Sequence, residues 1–415
     1  MEVIYPRCAG LDVHKKTVVA CVMVTAANGK VSKQARTFAT TTAGLLALSD
    51  WLSTNEVTHV SMESTGVYWR PVFNILEATF AVILVNAQHM HAVPGRKTDV
   101  KESEWLADLL RHGLLKASFI PPKEIRDLRD LVRYRKTLIN QRGDEVNRLQ
   151  KVLETANIKL TSVASNVMGV SGQAMVRALI AGEADPEVLA ELARGSLQKK
   201  IPQLQEALLG QVDAHHRLLL THMLAHCSFL EQSIAQLFEE IQKVLALEPF
   251  TKAVELLVSI PGIQEASDAA ILAEIGTQMD AFPSSSHLAS WAGVCPGNRQ
   301  SGGKRLNSKV NEGNKRLKAT LAEVVWVIAH MKDNYLSAQY HRLARRIGKN
   351  KAVVAVSHSV LVISYHLLRD QQPYQDLGAT YFETKDRERI IKTSRKRLES
   401  LGFTVTLQPH EEVSA

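Results

Sequence analysis

The sequence predicts an α/β domain followed by an all-α region, and three observations carry that prediction. Two strand-like runs, TVVACVMV and VSKQARTFA, flank the turn Ala27-Asn28-Gly29-Lys30, and Asn-Gly between such runs is a strong hairpin signal. Strands then alternate with helical stretches as far as about residue 112, the pattern of a layered α/β architecture. From Pro121-Pro122 onward the apolar residues recur at helical spacing over long runs.

Taken in order, residues 4 to 39 read as three strands, IYPRCAGLDV, TVVACVMV and VSKQARTFA. A helix near 42 to 54 follows, then a short strand in VTHVSME, a helix from about Val67 to Ala78, a strand FAVILVN at 80 to 86, and a helix from about 99 to 112. After the two prolines comes a long helix at 123 to 155, with nine basic and five acidic residues between 123 and 151. Between 220 and 244, Leu220, Met223, Cys227, Leu230, Ile234, Leu237, Ile241 and Val244 alternate at spacings of three and four, the seam of a coiled coil. That seam needs a partner: either the helix at 123 to 155 or another protomer. Residues 254 to 276, VELLVSIPGIQEASDAAILAEIG, read as two helices around a Pro-Gly turn. Either they form a helix-hairpin-helix that aims backbone amides at phosphates, or they form a plain helical hairpin. A glycine-rich polar loop, PGNRQSGGKR, precedes further helices to about 370, and a basic helix, KDRERIIKTSRKRLESLG, leads to a polar end. The divisions expected are 1–120, 121–250, 251–370 and 371–415.

A chain of 415 residues exceeds one ordinary core, and 45% hydrophobic residues exclude a disordered polymer. The N-terminus lacks the apolar core of a signal peptide and no apolar run approaches the roughly 18 residues of a membrane helix, so a soluble cytoplasmic protein without a membrane partner is expected. Fifty Lys+Arg against 42 Asp+Glu give a formal charge of +8, which points to a polyanionic partner. Cys8, Cys21, Cys227 and Cys295 are scattered without CxxC spacing, so neither a zinc site nor a disulfide framework is expected. His215, His216, His222 and His226 invite a metal reading, but no acid or Cys completes a ligand set in the sequence pattern, and they read as surface residues beside the seam.

Three short motifs place carboxylates at element ends in the first domain. Asp12 closes the first strand in AGLDVHKK, Glu63 follows the fourth in SMESTGVYW, and Asp99 and Glu102 open the last helix in GRKTDVKESEW. Singly, each acid solvates a strand end or caps a helix; Asp99 at N-cap with Glu102 at N3 makes a good capping box. Carboxylates at i and i+3 also share a helix face and reach a metal brought by other strands. Mg²⁺ takes oxygen ligands, usually a few carboxylates with waters and substrate phosphates, and both readings of the pair stand open. The strand arrangement matches an RNase H-like sheet.

The motifs GLDVHKKT, MESTGVYWRPV, PGRKTDVKESEWLADLLRHGLL, IPGI, SWAGVCPGNRQSGGKR and EGNKRL resemble, in that order over residues 8 to 370, the transposases of the insertion-sequence-110 family, especially its 1111 subgroup. The resemblance implies a RuvC-like (RNase H-fold) domain with a DEDD acidic set, a helical coiled-coil region, and a C-terminal transposase domain with a catalytic serine. It also implies a bacterial recombinase guided by a structured bridge RNA that pairs with donor and target double-stranded DNA, working as a homodimer that assembles to a homotetramer. Carried over by position, the ligands of Mg²⁺ or Mn²⁺ are Asp12, Glu63, Asp99 and Glu102. The family pattern reads KTDVKDAEW where this chain has KTDVKESEW, so Glu102 reaches further than an Asp by about 1.5 Å, against a site tolerance of roughly 0.5 Å. Glu104 and Asp108 are nearby alternatives; Glu104 points off the shared face and Asp108 reads as surface.

By the same resemblance the nucleophile is Ser301, which forms a covalent phosphoserine while the acidic site of another protomer assists. From the residues alone, a hydroxyl on a Gly-flanked loop approaches a phosphate closely, and Lys304 and Arg305 lie near enough in sequence to stabilise its charge. Candidate nucleic-acid contacts are Arg299, Lys304, Arg305, Lys309, Lys315 and Arg316 beside the serine, and Arg345 and Arg346 in a second cluster. Tyr68, Trp69 and Tyr134 stack on bases in one reading and pack in the protein in the other. Besides the recombinase, two further readings are open: a RuvC-like nuclease that needs no serine, and a copy impaired at Glu102 that binds RNA and DNA without cutting.

Overall fold

The computed structural model of the chain describes residues 2–64, 66–85, 99–296, 299–301, 304–307, 310, 312–385 and 387–406, with 299–301, 304–307 and 388–390 as backbone only. It divides into two compact units, Met1–Ile120 and Pro121–Ala415.

In the first unit, β1 (Arg7–Val13), β2 (Thr17–Thr25) and β3 (Val31–Ala39) form an antiparallel meander. It is followed by α1 (Thr42–Thr54), β4 (His59–Glu63), α2 (Trp69–Leu76), β5 (Ala81–Val85) and α3 (Asp99–Arg111). The sheet order is β3-β2-β1-β4-β5, with β4 and β5 parallel to β1, the arrangement expected of an RNase H-like sheet. The first strand begins three residues later than its apolar run, because Pro6 has no N–H for the ladder. At the predicted turn Gly29 takes φ +80° and its N–H donates to Ala26 O, while the Asn28 side chain accepts from the Lys30 N–H.

Strand alternation sorts the two faces of this sheet. Ala9, Leu11 and Val13 of β1 and Val18, Ala20 and Val22 of β2 bury themselves against Leu45, Leu48 and Leu52 of α1 and Val72, Phe73 and Leu76 of α2. On the opposite face Cys8, Cys21 and Met23 meet Ala107 and Leu110 of α3. Ser61 on β4 donates its hydroxyl to the Leu106 carbonyl across 3.2 Å, which fixes α3 over β1 and β4. A sheet covered on both faces leaves its open strand ends as the place for chemistry.

The second unit is mostly helical. Its spine is an antiparallel pair, α4 (Lys123–Thr155) and α9 (Ala214–Leu245), so the seam's partner is the long basic helix of the same chain. Arg135 lies 4.6 Å over the Phe238 ring and Arg142 pairs with Glu231, which sets the register. The buried positions on α9 are His216, Leu220, Leu224, Cys227, Leu230, Ile241 and Leu245, so His216, expected at the surface, is buried, its ring accepting from the N-cap N–H of Asp213. Leu224 and Leu245 take the places expected of Met223 and Val244, because a straight helix with 3.6 residues per turn drifts against a 3.5-residue pattern. Four short helices, α5 (Leu160–Val163), α6 (Val170–Ala181), α7 (Pro186–Glu191) and α8 (Ile201–Ala207), close one end of the pair around Leu149, Leu153, Met175 and Leu204.

Beyond the spine lie α10 (Phe250–Val258), α11 (Glu265–Ile275), α12 (Ser285–Ala292), α13 (Lys315–His330), α14 (Tyr335–Ile347) and α15 (Lys349–Asp370). The Pro-Gly turn between α10 and α11 packs inward on α13: Gly262 has φ +85°, and a Cβ there would lie 2.6 Å from Ile328. The glycine-rich stretch, expected as a loop, contains two short antiparallel strands, β6 (Arg299–Ser301) and β7 (Lys304–Asn307). Helix α15 has the length and hydropathy of a membrane span, contrary to the sequence expectation, yet Val353, Val356, Val360, Leu361 and Tyr365 are buried, as in a core helix. After α16 (Tyr381–Lys385), the basic stretch near the end forms α17 (Arg387–Ser400).

Candidate metal centre

Asp12 is the penultimate residue of β1, and alternation puts it on the same face as Cys8 and Gly10, the face that α3 covers. In the parallel pairing Leu11 stands opposite Met62, so Asp12 and Glu63 are the next residues along at the ends of neighbouring strands. Glu63 shares the face of Ser61, which bonds to α3. Asp99 and Glu102 occupy the first turn of that helix. Four carboxylates from three elements are thus brought to one end of one sheet face.

Among the described residues, Asp12, His14 and Asp99 form a group whose ligand atoms all lie within 4.8 Å of one another, a group that includes neither Glu63 nor Glu102. His14 Nε2 stands 3.2 Å from Asp12 Oδ2 and 3.3 Å from Asp99 Oδ2. Burial pushes the Asp12 carboxyl up to about 6, the charges of Glu102 and Asp99 add to the rise, and His14 opposes it. Asp12 Oδ2 is buried and meets no hydrogen-bond partner in full geometry, although His14 Nε2 stands 3.2 Å away. A buried carboxylate oxygen with an open lone pair, crowded by like charge, is relieved by a cation, so the donor set fits a divalent metal ion.

His14 was not singled out by the sequence reading. The available signal is the spacing Asp12-x-His14, which puts both side chains on one side of an extended chain. Asp99 and Glu102 both lie in the first turn of α3 as described, where acids complement the positive helix end, and the residues before Asp99 that would decide its capping role lie outside the described residues. The Gly95–Thr98 part of the motif lies outside the described residues. Glu104 lies 3.7 Å from Lys33, and Asp108 accepts from Arg111 at 2.7 Å.

In the second unit Ser301 ends β6, with its backbone opposite Lys304 and that of Gln300 opposite Arg305. Arg299, Ser301, Lys304 and Arg305 are placed by backbone alone, and Lys309 lies outside the described residues. Lys315 and Arg316 are exposed in the first turn of α13, whose N-cap Asn314 accepts from the Arg316 and Leu317 N–H groups at 3.1 Å. Cations at a helix N-terminus oppose the helix dipole, an arrangement that a bound anion reverses. Together with Arg133, Arg135 and Lys136 they line a cavity of about 520 Å³. Arg345 and Arg346 are exposed in the last turn of α14, where the dipole favours cations without any ligand.

Much of the positive charge on α4 is used inside the unit: Arg129 donates to Ala273 O at 2.7 Å, and Arg133 and Lys136 pair with Glu274 and Glu323 at 2.8 Å. Tyr68 and Tyr134 are exposed, whereas Trp69 packs edge-on against Phe73. Among the histidines, His226 lies 3.6 Å from Glu145, and an acid does complete a group of His215, His216 and Asp213. Asp213 is the N-cap of α9, in a capping box where its N–H donates to His216 Nδ1, which accounts for that grouping structurally.

A family model described as a transposase, for the DEDD transposases of IS110 elements, matches residues 9–158, and a second, described as "Transposase IS116/IS110/IS902 family", matches residues 254–341. The chain is 29% identical over 147 residues to the pilin gene-inverting protein of Moraxella bovis, covering 34% of this chain and 45% of that protein. The pilin gene-inverting protein of Moraxella lacunata matches to the same extent. The chain therefore spans less than half the length of these curated relatives. The first matched segment holds Asp12, His14, Glu63, Asp99 and Glu102, and the second holds Ser301, Lys315 and Arg316. The chain carries two transposase domains of the IS110 family, the acidic one first.

Proposed function

We propose that the protein is an RNA-guided DNA recombinase of a mobile element, cutting and rejoining donor and target double-stranded DNA. The observation that carries this reading is the convergence of Asp12, Glu63, Asp99 and Glu102 on one end of one sheet face, in a chain whose other matched domain holds Ser301. These four residues would hold Mg²⁺ or Mn²⁺. When bound, such a cation supplies charge stabilisation to the oxygens of a phosphodiester under attack.

Ser301 Oγ forms a P–O bond to the backbone phosphorus as one phosphorus–deoxyribose oxygen bond breaks, and the hydroxyl proton passes through solvent to the released oxygen. Rejoining runs the same exchange backwards with a different strand end, so the number of bonds is kept. Lys304 and Arg305 neutralise the phosphate, and Arg299, Lys309, Lys315, Arg316, Arg345 and Arg346 hold the nucleic-acid backbone. A structured non-coding guide RNA pairs with both DNAs and supplies sequence choice. The working form is a homodimer assembled to a homotetramer in the cytoplasm, without a membrane partner.

The test is a denaturing gel of protein, guide RNA, Mg²⁺ and labelled donor and target DNA, beside Ser301→Ala. A covalent protein–DNA adduct that needs Ser301 is expected. Cleaved ends without an adduct would replace this reading with a plain nuclease, and bound nucleic acid without cutting would replace it with an impaired copy.

A further inference from the structure

We propose that His14 is itself a ligand of the divalent cation, so that the centre is a mixed imidazole–carboxylate site that prefers Mn²⁺ to Mg²⁺. The inference rests on reading the carboxylates as a metal centre and adds a donor of different chemistry to it. His14 follows β1 at the same alternation as Asp12, and its Nε2 faces carboxylates from two elements at once, 3.2 Å from Asp12 and 3.3 Å from Asp99. Neighbouring donors held about 2.1–2.2 Å from one octahedral ion stand about 3 Å from each other, so these spacings already match the corners of one coordination shell. Asp12 Oδ2 is buried without a full hydrogen bond, which leaves a lone pair for a cation to take.

The alternative role for the imidazole is as a cation standing between two acids, with no bond to metal. The two roles differ in donor chemistry. Mg²⁺ demands oxygen ligands and keeps its waters, whereas imidazole suits first-row transition ions. A centre whose best-placed donor group contains a nitrogen therefore discriminates between ions that four carboxylates alone would treat more evenly. His14 is about half exposed, so its replacement leaves the core intact.

The experiment is Mn²⁺ titration of the full chain read by electron spin-echo envelope modulation, which detects a directly bound ¹⁴N nucleus. Expected are imidazole modulation in the wild type, its loss in His14→Gln, and its retention in His215→Gln, which controls for the other histidine grouping. Mg²⁺ should displace Mn²⁺ from His14→Gln at concentrations lower by about 10-fold or more, the scale on which metal sites respond to a lost partner. Mn²⁺ bound through oxygens alone, or modulation that persists in His14→Gln, would overturn the assignment. If that oxygen-bound Mn²⁺ is lost in Asp12→Asn, the acidic centre stands and only the His14 assignment falls. Mn²⁺ binding indifferent to Asp12→Asn overturns both.

Discussion

A Cβ on Gly10 would lie 2.4 Å from the backbone nitrogen of Ala107 and 2.2 Å from the carbonyl oxygen of Ser103, so α3 rests directly on the strand that carries Asp12. Gly10→Ala forces the helix outward, and with it Asp99 and Glu102. We expect a loss of about 1–3 kcal/mol or more in stability, typical of overpacking, together with weaker Mn²⁺ binding. Urea denaturation and metal titration of the same sample check both; unchanged values would mean the helix does not sit so close.

Asp12 trades stability for chemistry. Its folded-state carboxyl titrates at about 6, above an ordinary carboxylate, so in metal-free protein the stability of the fold falls as pH rises from about 4 to about 6. At neutral pH Asp12→Asn is expected to leave the metal-free protein as stable or more stable by about 1 kcal/mol, because it removes a buried charge among like charges. The same change should abolish the stabilisation given by added Mn²⁺. Thermal melts with and without the ion decide the matter.

Asp268 is buried at the start of α11, and burial raises its carboxyl to about 7, with the Ala269 N–H opposing the rise and Glu265 adding to it. The folded state binds this proton more tightly than the unfolded one, so stability is greatest below about pH 4 for this group and is lost as pH rises towards 7. Asp268→Asn keeps an oxygen for the Ala269 N–H and never ionises. It should stabilise the protein by about 1–3 kcal/mol at pH 8 and by much less at pH 5, in urea titrations at the two values.

Glu274 is 3% exposed and takes both nitrogens of the Arg133 fork at 2.8 Å, and the amide of Asn314 at 2.6 Å. Asn314 also caps α13, the helix that begins with Lys315 and Arg316. Glu274→Ala leaves the Arg133 guanidinium without its carboxylate and should cost about 3–5 kcal/mol. A change below about 1 kcal/mol would show that solvent already screens the pair.

Replacing Arg345 and Arg346 together by Ala should weaken binding to every duplex alike and reduce the slope of log affinity against log salt by up to about 2. Binding measured across a salt series for two unrelated sequences tests this. A slope identical to the wild type would assign the pair to the helix end alone.

Much of the first domain was legible because its signals are short-range. The Asn28-Gly29 turn, the alternation of Ala9, Leu11 and Val13, and the helical spacing of Leu45, Leu48 and Leu52 each act within a few residues. The glycine-rich stretch was misread because Gly and polar residues are depleted in strands in general, whereas the pairing of Arg299–Ser301 with Lys304–Asn307 is a local exception. Asp99 and Glu102 have a spacing that fits both a helix cap and a shared ligand face, and the sequence cannot choose between them because the choice depends on which strand ends stand beside that first turn.

By itself the sequence determined the order of elements, the carboxylates at strand and helix ends, and the resemblance of its motifs to a family. Only tertiary structure decided that α4 of the same chain covers the apolar seam of α9, that the Gly262 turn packs on Ile328, and that His14 reaches Asp12 and Asp99 together. The reason is the range of the forces that set each feature. Turn chemistry and apolar periodicity are fixed by residues a few positions apart, but meetings such as those of Asp12 with Asp99, or Arg142 with Glu231, depend on sheet register and helix packing, which the whole chain settles at once.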